Sequence, residues 1–254
     1  LIGRDVTVPK GGEMPLGMDG FPTGLMVEAA AWHVVNPLIP QPALSRRREA
    51  MAHAIEALLK SGITGVRTME YQKDLAPLLL PALEGAPLRC SVVALDRSLP
   101  RSFDWISEMP CTDQFRVTGA KSFFDGTLGS RTARLREPYA DAPETCGQWL
   151  EHAAHDEIDH WLSLVRRSNL RPVIHAIGDA AVCRALEATA DVNDATIEHV
   201  EIVPLENLEC LAGRMLSVQP THRAEDAMMA SSRLGRRASS LLPLRQMQNA
   251  GGTL

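Results

Sequence analysis

The stretch RPVIHAIGDAAVCRALEATADVNDATIEHV, residues 171–200, decides the fold. RPVIHA at 171–176 is a short apolar run of the kind that forms a buried strand, and ATIEH at 195–199 is a second. Between them Asp179 stands where a helix is expected to be capped. Strand, helix and strand in this order form a βα unit with the strand of the next unit, and such units assemble into parallel sheets.

The alternation continues outward in both directions from about residue 45 onward. Ser45 is expected to cap a helix whose apolar positions Met51, Ile55, Leu58 and Leu59 share one face and which Gly62 ends. Arg46, Arg47 and Arg48 then form its solvated first turn. ITGVRTM at 63–69, LRCSVVAL at 88–95 and FRVTGAKSFF at 115–124 are further strands, and Ile158, Trp161, Leu162 and Val165 mark a helical stripe. On the other side, MLSVQPTH at 215–222 is another strand, and GGTL at 251–254 has the look of one more strand beginning. Residues 1–44 read differently. PKGGEMPLGMDGFPTG at 9–24 is dense in Pro and Gly, with Asp19-Gly20 and Pro22 as turn formers, which predicts an irregular, hairpin-bearing insertion ahead of a domain over 45–254. No internal repeat or low-complexity tract is found.

At 254 residues, 45% of them apolar and with a net charge of −5, the chain can bury a substantial core and reads as one large soluble domain. No apolar run approaches the roughly 18 residues of a membrane span. The mild acidity, with Glu49 beside the arginine run, argues against a nucleic-acid surface. The five cysteines, Cys90, Cys111, Cys146, Cys183 and Cys210, are scattered without a CxxC pair and are expected to be reduced, structural thiols of a cytoplasmic protein. The chain opens on Leu1 rather than Met, so sequence upstream is expected and targeting is unread. Self-association is compatible with all of this.

Periodicity alone leaves a closed barrel and an open doubly wound sheet as alternatives. Lys121, His175, His199 and His222 each fall in or just after the C-terminal part of a strand. In a barrel they converge on the mouth, where barrel active sites lie, whereas in an open sheet they are strung along an edge. A lone strand histidine is more often a hydrogen-bonded core residue than a ligand, and a strand lysine can be a salt-bridge partner or a Schiff-base nucleophile. EHAAHDEIDH at 151–160 gathers His152, His155 and His160 but lacks the HExxH order of helical zinc sites. His152 and His155 are expected in a loop before a capping Asp156, and the group reads as a solvated face.

Four ordered segments carry a resemblance: KSFFDGTLGSRTARLREPYAD (121–141), HAIGDAAV (175–182), IEHVEIV (197–203) and SVQPTH (217–222), with DGFPTG (19–24) and ITGV (63–66) ahead of them. Together they resemble the amidohydrolase family 3 branch of the amidohydrolase superfamily, which includes N-substituted formamide deformylases. The resemblance implies an α/β fold of the (β/α)8 TIM-barrel type carrying one or two divalent metal ions, usually Zn²⁺. It implies His175 and His199 as metal ligands and Lys121 as the position that can be carbamylated to bridge two ions. Arg131 and His222 are then substrate contacts, and Asp125 a substrate contact or the holder of hydrogen bonds behind the site. The family also has an HxH pair on its first strand and an Asp on its eighth. This sequence contains no HxH and ends at GGTL, so the chain is expected to be an incomplete barrel lacking the first and last strand regions, with at most seven of eight βα units and little activity of its own.

The implied chemistry suits those residue types. Water is a poor nucleophile and an amide carbonyl a poor electrophile, and a bound Zn²⁺ lowers the pKa of its water from 15.7 to about 7 while polarising the carbonyl. The function expected is hydrolysis of a C–N bond in a small amide or formamide. A Schiff-base aldolase using Lys121 and a metal-free binding or regulatory relative are the alternatives.

Overall fold

Residues 3, 6–95, 102–203 and 205–254 are described in a computed structural model of the chain. The apolar runs become strands: β3 (Gly65–Glu70), β4 (Arg89–Ala94), β5 (Phe115–Phe123), β6 (Arg171–Ala176), β7 (Thr196–His199) and β8 (Met215–Ser217). Among the described residues these six form one sheet in chain order, ahead of which β1 (Gly12–Glu13) and β2 (Val27–Glu28) pair antiparallel as a hairpin. The pairs β3–β4, β4–β5 and β7–β8 are parallel. Parallel neighbours in chain order need a crossover between each pair, and helices supply most of them, so the fold is α/β and a partial TIM-type barrel. Thr253, in the GGTL segment, bridges Met215 in parallel, with Leu216 N–H donating to the Thr253 carbonyl at 2.8 Å.

The chain divides into two compact units. The unit of Pro40–Ser122 and His160–Val173 holds α1 (Leu44–Lys60), α2 (Gln72–Asp74), a π turn over Leu75–Leu79 and α3 (Leu80–Leu83). Ile55, Leu75, Leu79, Leu83, Leu88, Cys90, Val92 and Phe115 are buried together, with Met51, Leu58 and Leu59 packed against them, which is the face that the helical spacing predicts. The α1 terminus is set by Gly62 at φ +78°: its N–H donates to Leu59 at 2.9 Å and that of Ile63 to Leu58 at 3.0 Å, the paired bonds of a Schellman end. Its start differs from expectation. Ser45 lies inside the helix, Ala43 precedes the first helical residue, and no side chain caps it. On β5, a Cβ at Gly119 would sit 2.9 Å from the Arg171 carbonyl, so glycine permits the close approach where the β4–β5 register shifts.

The second unit, Leu1–Ile39, Phe123–Asp159 and Ile174–Leu254, packs Leu128, Leu135, Tyr139, Ile177, Ile202, Leu234 and Leu241 into its core. It includes α6 (Asp179–Ala188), α7 (His222–Leu234) and α8 (Leu244–Asn249). Three sequence expectations are corrected here. Gly178, not Asp179, precedes α6, and Asp179 is its first residue, its carboxylate accepting the Arg136 N–H at 3.0 Å. The strand expected over 215–222 ends at Ser217, because Pro220 cannot extend a ladder, and His222 instead opens α7. His152 and His155 lie in a short helix, α4 (Glu151–His155), closed by Asp156 in the left-handed conformation. His152 is buried rather than on a solvated face, while His155 and His160 are exposed. The stripe on α5 (Ile158–Arg167) is buried as its spacing predicts.

Candidate metal centre

The site is assembled in the second unit from the ends of β5, β6 and β7. Strand β6 is buried along nearly its whole length, the pattern of a strand covered on both faces, and His175 is its penultimate residue. His199 is the last residue of β7. The two rings lie 4.5 Å apart between centroids, edge to face at 65°.

Each ring is held from behind in a defined tautomer. His175 Nε2 is 2.9 Å from the Gly126 carbonyl, which can only accept, so Nε2 carries the proton and Nδ1 the lone pair. His199 Nδ1 is 2.7 Å from Gln219 Oε1. The amide nitrogen of Gln219 donates to the Ser217 carbonyl at 3.2 Å, which fixes the amide with its oxygen toward His199. His199 therefore donates through Nδ1 and keeps its lone pair on Nε2. Metal-binding histidines are oriented by this type of second hydrogen bond, which also raises the basicity of the ligating nitrogen.

Asp125, two residues beyond β5, fastens the ensemble. Its side chain is fully buried, and its carboxylate accepts the N–H of Ile177 at 3.0 Å and those of Gly178 and Arg134 at 2.8 Å each. It also lies 3.7 Å from His175 Nε2. Burial pushes this carboxyl up to about 8 against the pull of the three backbone donors. Next to it, Gly126 has no room for a side chain: a Cβ would fall on Thr132 Oγ1 and Glu28 Oε1. Thr132 Oγ1 donates to Glu28 Oε1 at 2.7 Å, so the N-terminal hairpin props the loop whose carbonyl orients His175.

Strain accompanies this arrangement. His199 and Val200 have φ of +73° and +49°, and a β-branched residue in that region is an outlier. The conformation is held by bonds such as that from Val200 N–H to the Ala176 carbonyl at 3.0 Å. Backbone strain of about 1–3 kcal/mol per residue persists where surrounding contacts over-determine it, and it concentrates at functional sites.

His175, His199 and Asp125 share one site. Arg131 lies on the loop after β5, its guanidinium engaged with Asp141 at 3.0 and 3.2 Å. His222 faces Glu201, with Nδ1 to Oε1 at 3.7 Å. Lys121 is buried on β5, within the first unit. Sequence reading missed Gln219, although it stands inside the SVQPTH segment, and it missed the Gly126 carbonyl, a main-chain atom with no side-chain signal. It also missed Glu28 and Glu201. With the first imidazole lone pair on Nδ1, the second on Nε2, and the rings in contact, the pair suits a borderline divalent ion such as Zn²⁺.

Residues 2–254 match the Amidohydrolase family, Amidohydro_3. The chain belongs to amidohydrolase family 3. Within the family's reach it is 30% identical to YtcJ of Bacillus subtilis (strain 168), covering 92% of this chain and 46% of that protein, and 28% identical to LONG AFTER FAR-RED 3 of Arabidopsis thaliana, covering 89% and 42%. The chain therefore spans about half the length of these family relatives. In fold it resembles an uncharacterized metal-dependent hydrolase from Pyrococcus horikoshii OT3, with a TM-score of 0.72 at 24% identity over 98% of this chain and 51% of that one. A metal-dependent hydrolase from Pyrococcus furiosus gives the same score and identity, covering 98% and 52%. Among the described residues, no helix is long and apolar enough to cross a membrane.

Proposed function

We propose that the chain is part of a metal-dependent amidohydrolase that cleaves a C–N bond of a small amide or formamide, with His175 and His199 as metal ligands and Lys121 as a third ligand open to carbamylation. The observation that carries this reading is the edge-to-face histidine pair, each ring locked by a hydrogen-bond acceptor in a definite tautomer. Membership of the family and YtcJ's amidohydrolase name support the reaction class. When bound, the ion supplies Lewis acidity and lowers the pKa of a water molecule. The chain's own contribution is positional. The Gly126 carbonyl and Gln219 hold the imidazole protons away from the ligand side, and Asp125 fixes the turn that carries His175 relative to the loop that orients it. Arg131 and His222 remain proposed substrate contacts that have to leave or share Asp141 and Glu201. Zinc is the proposed ion and a small molecule the proposed substrate.

The test combines metal analysis with hydrolysis of a panel of formamides and amides, applied to this chain and to a protein of its relatives' full length. Zinc bound by the full-length protein and lost with turnover on His175→Ala or His199→Ala supports the reading. A full-length protein that hydrolyses these substrates without metal, or keeps its zinc in both variants, overturns it.

A further inference from the structure

We propose that Glu201, His222 and Asp226 form a second divalent-cation site, taking an ion of the Zn²⁺ or Mn²⁺ class and tying the segment after β7 to the first turns of α7. The inference stands on residues other than the His175–His199 pair and does not depend on the proposed hydrolysis; with the ion bound, His222 serves as its ligand in place of the substrate contact proposed above.

His222 is the first residue of α7 and Asp226 lies one turn later, so both present to the same helix face. Glu201 comes from the segment after β7, where its own carbonyl accepts the Leu242 N–H at 2.6 Å and the neighbouring Ile202 N–H donates to Ile177 at 3.0 Å. One ligand atom from each of the three lies within 4.8 Å of the others. Bonds of 2.0–2.2 Å to a common ion place neighbouring ligand atoms roughly 3.0–3.5 Å apart. The His222–Glu201 separation of 3.7 Å is already close to that, and small rotations of His222, whose side chain is 45% exposed, and of half-buried Asp226 close the remainder.

The second observation is the state of Glu201. It is only 5% exposed, and the basic group facing its carboxylate is the His222 ring, at 3.7 Å, longer than a normal hydrogen bond. A buried carboxylate so weakly paired is costly, and a second carboxylate, that of Asp226, lies within 4.8 Å of it. A single imidazole does not offset two carboxylates. A dication offsets both, and one nitrogen with two carboxylate oxygens suits Zn²⁺ or Mn²⁺. The ion would brace the segment two residues beyond His199, where the backbone is strained.

The experiment uses the His175→Ala/His199→Ala double variant of this chain, which removes the other pair. Mn²⁺ and Zn²⁺ binding is measured by equilibrium dialysis with elemental analysis, alongside the ion-dependent rise in Tm and a circular dichroism check of folding. The inference expects one equivalent to remain bound in the double variant, to raise its Tm, and to weaken at least tenfold when Asp226→Asn or Glu201→Gln is added. A folded double variant that binds neither ion, or one whose binding is unchanged by Asp226→Asn, overturns it and assigns the cluster to a plain His–carboxylate pair. Equal binding by the unmodified chain and the double variant, lost on Asp226→Asn, supports this site while counting against the histidine pair.

Discussion

Replacing Gln219 by Ala removes the acceptor that holds His199 in its Nε2-ligating tautomer. Loss of such a hydrogen bond typically costs 10- to 100-fold in metal affinity, so Gln219→Ala is expected to weaken zinc binding by that factor in a titration, while Gln219→Glu, which still accepts, retains most of it. Asp141 gives a prediction in pH. The hydrogen bonds of Arg131, then of Arg233 and Ser232, hold its carboxyl well below the usual carboxylate range. A depressed carboxyl contributes stability above its unfolded value of about 3.9 and loses it as pH falls further towards the folded value. Urea midpoints are therefore expected to fall more steeply between about pH 4 and 2 in the unmodified chain than in Asp141→Asn, which is less stable at neutral pH. At this scale the two histidines were legible because imidazoles at strand ends within a family pattern are rare. Their supports were not, since a carbonyl has no letter in the sequence and a glutamine has many roles.

Among the elements, two glycines separate two physical causes. Gly62 has a φ of +78° and open space around its missing Cβ, so Gly62→Ala is expected to cost about 1 kcal/mol from backbone strain alone. Gly178 has an ordinary φ, but a Cβ there would fall on the Arg134 carbonyl and would disturb the Asp125 bonds, so Gly178→Ala is expected to cost at least the ~1–3 kcal/mol of an overpacked site. Chemical denaturation of both variants orders them. The strands were legible because parallel strands are apolar along nearly their whole length, as in β6, and the helix faces because Ile55 and Trp161 recur at helical spacing. Helix starts were misread at Ser45 and Asp179, since a polar side chain can join the first turn as readily as cap it. The β8 end was misread because an apolar run was carried through Pro220.

Taken as a whole, the described residues leave several large apolar side chains exposed, with a concentration in the N-terminal segment. Leu16, Met18, Leu25, Leu38 and Ile39, all within residues 1–39, are each more than half exposed. Patches of this kind bind partners or dyes, so the chain is expected to bind a hydrophobic fluorophore, and Met18→Ser with Leu25→Ser to reduce that signal by about half while leaving far-ultraviolet circular dichroism unchanged. The carboxylate of Asp125 has a kinetic consequence as well. Its three donors lie 9, 52 and 53 residues away along the chain, and the two distant ones, the N–H groups of Ile177 and Gly178, cannot reach it until β6 and the turn after it have docked. Until then the carboxyl stays hydrated, and its full burial belongs to a late step on the folding route. Removing it with Asp125→Asn should accordingly leave the refolding rate almost unchanged and appear as faster unfolding, the mark of a contact made after the barrier has been crossed.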